Sequence, residues 1–192
     1  LKYINLFSNK PDLIFVSSAA VYGNSIKKKI LKPISNYGKN KLLAEKAIIK
    51  FSKKEKIRSI ILRFFSIYGP GLKKQLIWDA INKFKKKDFT FYGTGDEIRS
   101  WMFVDDAIKL IIYSYKKLST KNQIFNLSSG ENIKVKAILN KLLNILKLKN
   151  KIKFNKKLLN SNPKYLAYSN NSSKKLGLKK FVKINEGLKK YV

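Results

Sequence analysis

The apolar run LIFVS at residues 13–17 ends in three small residues, Ser18, Ala19 and Ala20, the pattern of a buried parallel strand. A second run of the same character, RSIILRFFSIYGPG, spans residues 58–71 and is stopped by Gly69, Pro70 and Gly71. Between them, after Pro33, Ser35 or Asn36 can cap a helix whose apolar residues Leu42, Leu43, Ala47, Ile48 and Phe51 recur at helical spacing. Strand, helix and strand in this order form a crossover unit, the building block of a doubly wound sheet. The expected class is therefore α/β, with residues 1–71 forming the C-terminal part of a doubly wound parallel, Rossmann-like sheet.

Beyond Gly71 the texture changes. LIWDAINKFKKKD reads as an amphipathic helix, FTFYG as a short strand and TGDEIRS as a polar loop. DDAIKLIIYSYKK, residues 105–117, is helical again with Asp105 or Asp106 at its start, and QIFNLSSG is a strand closed by Gly130. The helical run VKAILNKLLNILKLK follows, then a short helix ending near Gly177 and a last one starting near Asn185. Residues 72–192 are expected to form mainly a small α/β substrate-binding lobe, with 104–130 packing back on the sheet.

Charge narrows the function classes less than it first suggests. The formal net charge of +32 would ordinarily point to nucleic acid. Yet only three of the 43 basic residues are arginine, at positions 58, 63 and 99, and the lysines are scattered along the chain among asparagine and isoleucine. Base readers and phosphate forks depend on arginine, so no specific nucleic-acid partner is expected. The absence of cysteine and histidine removes the usual metal ligands and the commonest general base, and no metal site is expected. With no apolar run long enough for a membrane span and no signal-peptide pattern at the start, the expected location is the cytoplasm.

Acid–base chemistry must then use other groups. In SNYGKNKLLAEKAI, residues 35–48, Tyr37 and Lys41 stand four apart and so share a helix face. A phenol with a pKa of about 10 is a poor base at neutral pH, but an ammonium held beside it favours the phenolate. Such a pair can replace histidine. Alone, the spacing carries little in so lysine-rich a chain.

The surroundings of the pair carry more. SSAAVYG (17–23), YGKNK (37–41), LRFFSIYGPG (62–71), YGTGDEIRSWMFVDD (92–106) and NLSSG (126–130) occur in this order. The series resembles the extended short-chain dehydrogenase/reductase superfamily, in particular its NAD-dependent epimerases and dehydratases acting on nucleotide sugars. The resemblance implies that Tyr37 takes the proton of a sugar hydroxyl, that Ser18 hydrogen-bonds the same hydroxyl and that Lys41 holds the cofactor ribose. It also implies that Phe65 lies near the nicotinamide, that Ser66, Thr90, Phe91 and Tyr92 line the substrate site, and that Arg99 contacts the diphosphate. The cofactor it implies is NAD in preference to NADP. A nucleotide-diphosphate sugar is the implied substrate, and a homodimer the implied assembly. Arg63 and Asp106 match the motifs as structural residues, Asp106 as a helix cap. For Arg99 the other reading is a surface arginine paired with Asp96 or Glu97.

Departures from the pattern sharpen the expectation. Relatives that dehydrate the sugar place Asp and Glu directly after the catalytic Ser or Thr; here Ala19 and Ala20 stand there, and methyl groups transfer no protons. A 4-epimerase resembling UDP-glucose 4-epimerase is therefore favoured over a dehydratase, with a nucleotide-sugar reductase or decarboxylating relative as the alternative. Ser66 replaces the usual asparagine and Ser100 the usual aspartate, and Lys164 is the one candidate for a second phosphate contact. No glycine-rich dinucleotide turn occurs in the chain, so it is expected to represent a fragment that neither holds NAD tightly nor turns over by itself. A noncatalytic remnant or basic RNA-binding module is the rival from another class; it has no need to keep Ser18, Tyr37 and Lys41 together.

Overall fold

A computed structural model describes residues 1–7, 9–118, 122–155 and 162–192. After a 3-10 turn at Lys2–Leu6, the elements are β1 (Leu13–Ser18), α1 (Asn36–Glu55), β2 (Ser59–Phe64), β3 (Ser66–Tyr68), α2 (Gln75–Lys85), β4 (Thr90–Phe91) and β5 (Ile98–Phe103). There follow α3 (Val104–Tyr115), β6 (Gln123–Leu127), β7 (Asn132–Lys134), α4 (Val135–Ile145), β8 (Lys153–Phe154), β9 (Tyr165–Leu166), α5 (Asn171–Leu176) and α6 (Ile184–Tyr191).

The fold is α/β with a parallel sheet. Its strands run in the order β1-β2-β6, with Leu13 opposite Ser59 and Ile60 opposite Gln123. β2 is buried along its whole length, which is why it reads as a continuous apolar run. Alternate side chains of β2 point to opposite faces. Ile60, Leu62 and Phe64 pack with Ala107 and Leu110 of α3 and Leu176 of α5, whereas Arg63 faces α1 and bonds Glu45. Helices thus cover both faces of the sheet.

Two strands depart from the pattern read in the sequence. RSIILRFFSIYGPG is not one strand: it breaks at Phe65, and β3 leaves to pair in parallel with β5 in a second sheet. The segment TGDEIRS is not wholly a loop either, because β5 begins at Ile98 and is flanked by antiparallel β7 and parallel β9. Arg99 and Ser100 in it are buried, so polarity alone does not mark a loop here. β4 pairs with β8.

The second core lies between this sheet and helices α2, α4 and α6, with Ile138, Leu139 and Leu142 of α4, Ala80 of α2 and Leu188 of α6 all fully excluded from water. Asp106 is structural in another way than a cap. It sits inside the first turn of α3, buried, and its Oδ2 accepts from the Val182 amide at 2.8 Å, tying the C-terminal segment to the helix. Burial pushes its carboxyl above the ordinary value. Among the described residues no helix is long and apolar enough to cross a membrane.

Candidate active site

The start of α1 is fixed by its cap. Ser35 has extended backbone, and its Oγ accepts from the Gly38 amide at 3.0 Å, satisfying one of the free N–H groups of the first turn. Gly38 lies against the 3-10 turn Ala19–Tyr22 that follows β1. A Cβ at this position would stand 2.5 Å from the Ala20 carbonyl oxygen, so only glycine lets the helix approach this closely. Ser18 caps that turn, its Oγ accepting from the Ala20 amide at 3.2 Å, which leaves the hydroxyl proton free to donate elsewhere.

This close approach brings the helix residues over the carboxyl end of β1, the edge at which open α/β sheets bind ligands. Lys41 Nζ donates to the Val16 carbonyl at 2.9 Å and lies 5.9 Å from the centre of the Tyr37 ring. Ser18, Tyr37, Lys41, Phe65 and Ser66 all line one cleft of about 470 Å³. Tyr37 is 57% exposed, so its phenol is open to a ligand entering this cleft. Lys74 and Gln75 at the start of α2 also line the cleft, though no motif marks them in the sequence. Their one signal is positional: they stand three and four residues after the Gly69–Gly71 turn that ends β3.

The remaining candidates separate into two groups. Phe65 is buried and stacks on Tyr168 with ring centres 5.8 Å apart, at the break between β2 and β3. Thr90, Phe91 and Tyr92 lie outside the cleft's lining. Phe91 is core, edge-on to Phe84 at 5.9 Å, whereas Thr90 and Tyr92 are exposed.

Arg99 is buried and does not line the cleft; its strand partner Leu166 does. Its guanidinium donates to the carbonyls of Ile98 and Pro163 and to Asn162 Oδ1. Burial pushes it below the ordinary value, with the Glu97 charge opposing. It is not the surface arginine of the alternative reading: Asp96 pairs with Lys134 and Lys136 at 3.0 and 2.9 Å, and Glu97 accepts from the Thr94 amide at 3.0 Å. Ser100 bonds Asn132 and accepts from the Tyr168 amide. Lys164 lines a separate cavity of about 270 Å³ with Thr94, Asp96 and Glu97.

Comparison with known proteins places this geometry in context. The model of the NAD dependent epimerase/dehydratase family matches residues 3–128. The uncharacterized protein MJ1055 of Methanocaldococcus jannaschii is 29% identical over 190 residues, covering 93% of this chain and 57% of that protein. An uncharacterized UDP-glucose epimerase, YtcB of Bacillus subtilis, is 27% identical over 151 residues, covering 76% of this chain and 48% of that one. The chain therefore spans about half the length of these curated relatives. Among solved structures, a UDP-glucose 4-epimerase with UDP-glucose from Thermotoga maritima superposes with a TM-score of 0.86 at 20% identity, covering 98% of this chain and 64% of that one. A UDP-glucuronic acid 4-epimerase from Bacillus cereus, in complex with UDP-glucuronic acid and NAD, gives 0.84 at 24% identity, with 94% and 60% covered. These likenesses establish the shared fold.

Proposed function

From the premise that the chain belongs to the NAD dependent epimerase/dehydratase family, we propose that it carries the proton-transfer half of a nucleotide-sugar 4-epimerase site. The observation that carries the reading is the sharing of one cleft by the Ser18 hydroxyl, the Tyr37 phenol and the Lys41 ammonium at the carboxyl end of β1. A UDP-hexose is the proposed substrate class, in keeping with the names of the relatives. The homodimer and the cytoplasmic setting are part of the same proposal.

The cleft fits the nicotinamide–ribose end of NAD: its size admits a ring and a sugar, and its polar lining consists of the ammonium groups of Lys41 and Lys74, the hydroxyls of Ser17, Ser18, Tyr37 and Ser66 and the Gln75 amide, with no carboxylate among the lining residues. Bound there beside Lys41 and Phe65, NAD would supply hydride-transfer chemistry for the sugar carbon. The protein's residues do the rest. Tyr37 Oη takes the C4 hydroxyl proton and later gives it back, a general-base then general-acid role. Ser18, its own oxygen already occupied by the Ala20 amide, donates to the same sugar oxygen and orients it. Lys41 is the charge beside the phenol, and its ammonium can leave the Val16 carbonyl for a ribose hydroxyl. Buried Ala19 and partly buried Ala20 offer no second acid or base, which favours epimerisation over dehydration. Arg99, already hydrogen-bonded, is proposed to shape the phosphate end of the site together with β9, and Thr90, Phe91 and Tyr92 to border the nucleobase.

Turnover is to be tested in the complete gene product. With UDP-glucose and NAD the C4 epimer is expected to accumulate without net NADH; in a parallel assay supplied with NADH, its stoichiometric consumption would instead identify a reductase. Gly38→Ala tests the packing that sets the site. Alanine favours helix by roughly 1 kcal/mol over glycine, so a stability gain would follow if helix propensity alone mattered. The clash with Ala20 must instead push the helix start, and Tyr37 with it, away from Ser18. Turnover is expected to fall by about 10²-fold, as small misplacements do, with the circular-dichroism spectrum retained.

A further inference from the structure

A polar cluster that the proposed chemistry does not use runs inward from the cleft, which Ser17 lines. Glu45 is 1% exposed and Arg63 7% exposed, yet both are ionisable. Arg63 Nε donates to Glu45 Oε1 at 2.9 Å and its Nη2 to Oε2 at 2.6 Å, a two-pronged pair. Glu45 Oε1 also accepts from Ser17 Oγ at 2.5 Å. On the other side, Arg63 Nη1 donates to the Tyr22 hydroxyl at 2.8 Å, which donates to Asn126 Oδ1 at 3.0 Å. The cluster therefore links β1, the 3-10 turn, α1, β2 and β6.

Four of the cleft residues, Ser18, Tyr37, Lys41 and Phe65, stand close in sequence to a member of this cluster. Ser17 immediately precedes Ser18. Glu45 lies one turn beyond Lys41 and two beyond Tyr37, on the same helix face. Arg63 stands two residues before Phe65. A buried ion pair adds little stability over well-packed apolar residues of equal volume, so stability alone does not account for it. What apolar packing lacks is direction. A sliding or rotating helix keeps its apolar contacts but loses a two-pronged bond.

We infer that Glu45 is a positioning residue: gripped by Arg63 and Ser17, it sets the height and rotation of α1, and so the distance between the Tyr37 and Ser18 hydroxyls. The inference rests on the proton-transfer role proposed for Tyr37.

The test is Glu45→Gln, which keeps size and shape but turns an NH₂ toward the guanidinium. In the complete gene product, kcat is expected to fall about 10–100-fold, with KM within about twofold. A second readout needs no turnover. With the ring carbon bearing the hydroxyl ¹³C-labelled in every tyrosine, the Tyr37 resonance, identified by its loss in Tyr37→Phe, is expected to shift in Glu45→Gln along with that of Tyr22. A lowered melting temperature with kcat, KM and the Tyr37 resonance all unchanged would overturn the inference and leave Glu45 a purely structural residue. If Glu45→Gln fails to fold, Ser17→Ala removes one arm and leaves the ion pair; it is expected to move the Tyr37 resonance and kcat in the same directions by less, and no movement would equally overturn the inference. If the wild-type protein shows no turnover, the role proposed for Tyr37 fails, while the resonance still decides whether Glu45 positions it.

Discussion

Tyr37→Phe in the complete gene product is expected to lower the proposed turnover of a UDP-hexose by about 10²–10⁴-fold, the usual worth of a positioned acid–base group, and to leave substrate binding nearly unchanged. The substitution removes one oxygen from a ring that is more than half exposed and that anchors no core, so the fold has little reason to respond. The chain has no histidine to take over, and the neighbouring residues Ala19 and Ala20 have no proton to give. Turnover and substrate titration measured side by side check this. A variant that keeps most of its rate would remove Tyr37 from the chemistry; a variant that loses binding and rate together would make it a ligand contact instead.

Arg63→Met has its large effect on stability. It fills nearly the same volume but leaves the Glu45 carboxylate buried without its cation, and breaking one side of a buried pair costs about 3–5 kcal/mol. Burial alone would lower the Arg63 pKa, but the Glu45 hydrogen bond and the Tyr22 contact more than offset this and hold it above its ordinary value, so the cation is firmly engaged in the folded state. Denaturant unfolding should show a lower midpoint with unchanged slope. The double change Arg63→Met with Glu45→Met should recover much of the loss, because no charge then remains buried. If the single variant unfolds like wild type, the pair is not the constraint described.

The strand, helix and strand that build the site were legible because each has a strong local signature. β2 is buried on both faces and mostly apolar, and α1 combines a capping serine with apolar residues at helical spacing. Ser18, Tyr37 and Lys41 could be named from their motifs, and the fold brings them to one cleft. Arg99 was harder. Its partners, Asn162 and Pro163, lie more than sixty positions away, so the sequence could not show that its fork is already occupied. The strand around it looked like a loop for the same reason: its polar residues are satisfied by β7, β9 and distant side chains rather than by water. Phe65 hid the break between β2 and β3, since an apolar residue between two apolar strands leaves no mark. The Glu45 network left a fainter one. An arginine inside an otherwise apolar buried strand demands an acid, and Glu45 is the only carboxylate of α1 away from its C-terminal end.

The chemistry proposed for this cleft is the oxidation and re-reduction of one sugar carbon. It is tested most directly by supplying the complete gene product with NAD and UDP-glucose deuterated at C4 and following the hexose by NMR. The C4 epimer is expected to form with deuterium still on C4, because the hydride that leaves is the one that returns. An epimer carrying solvent hydrogen at C4, or a hexose that never epimerises, would contradict it.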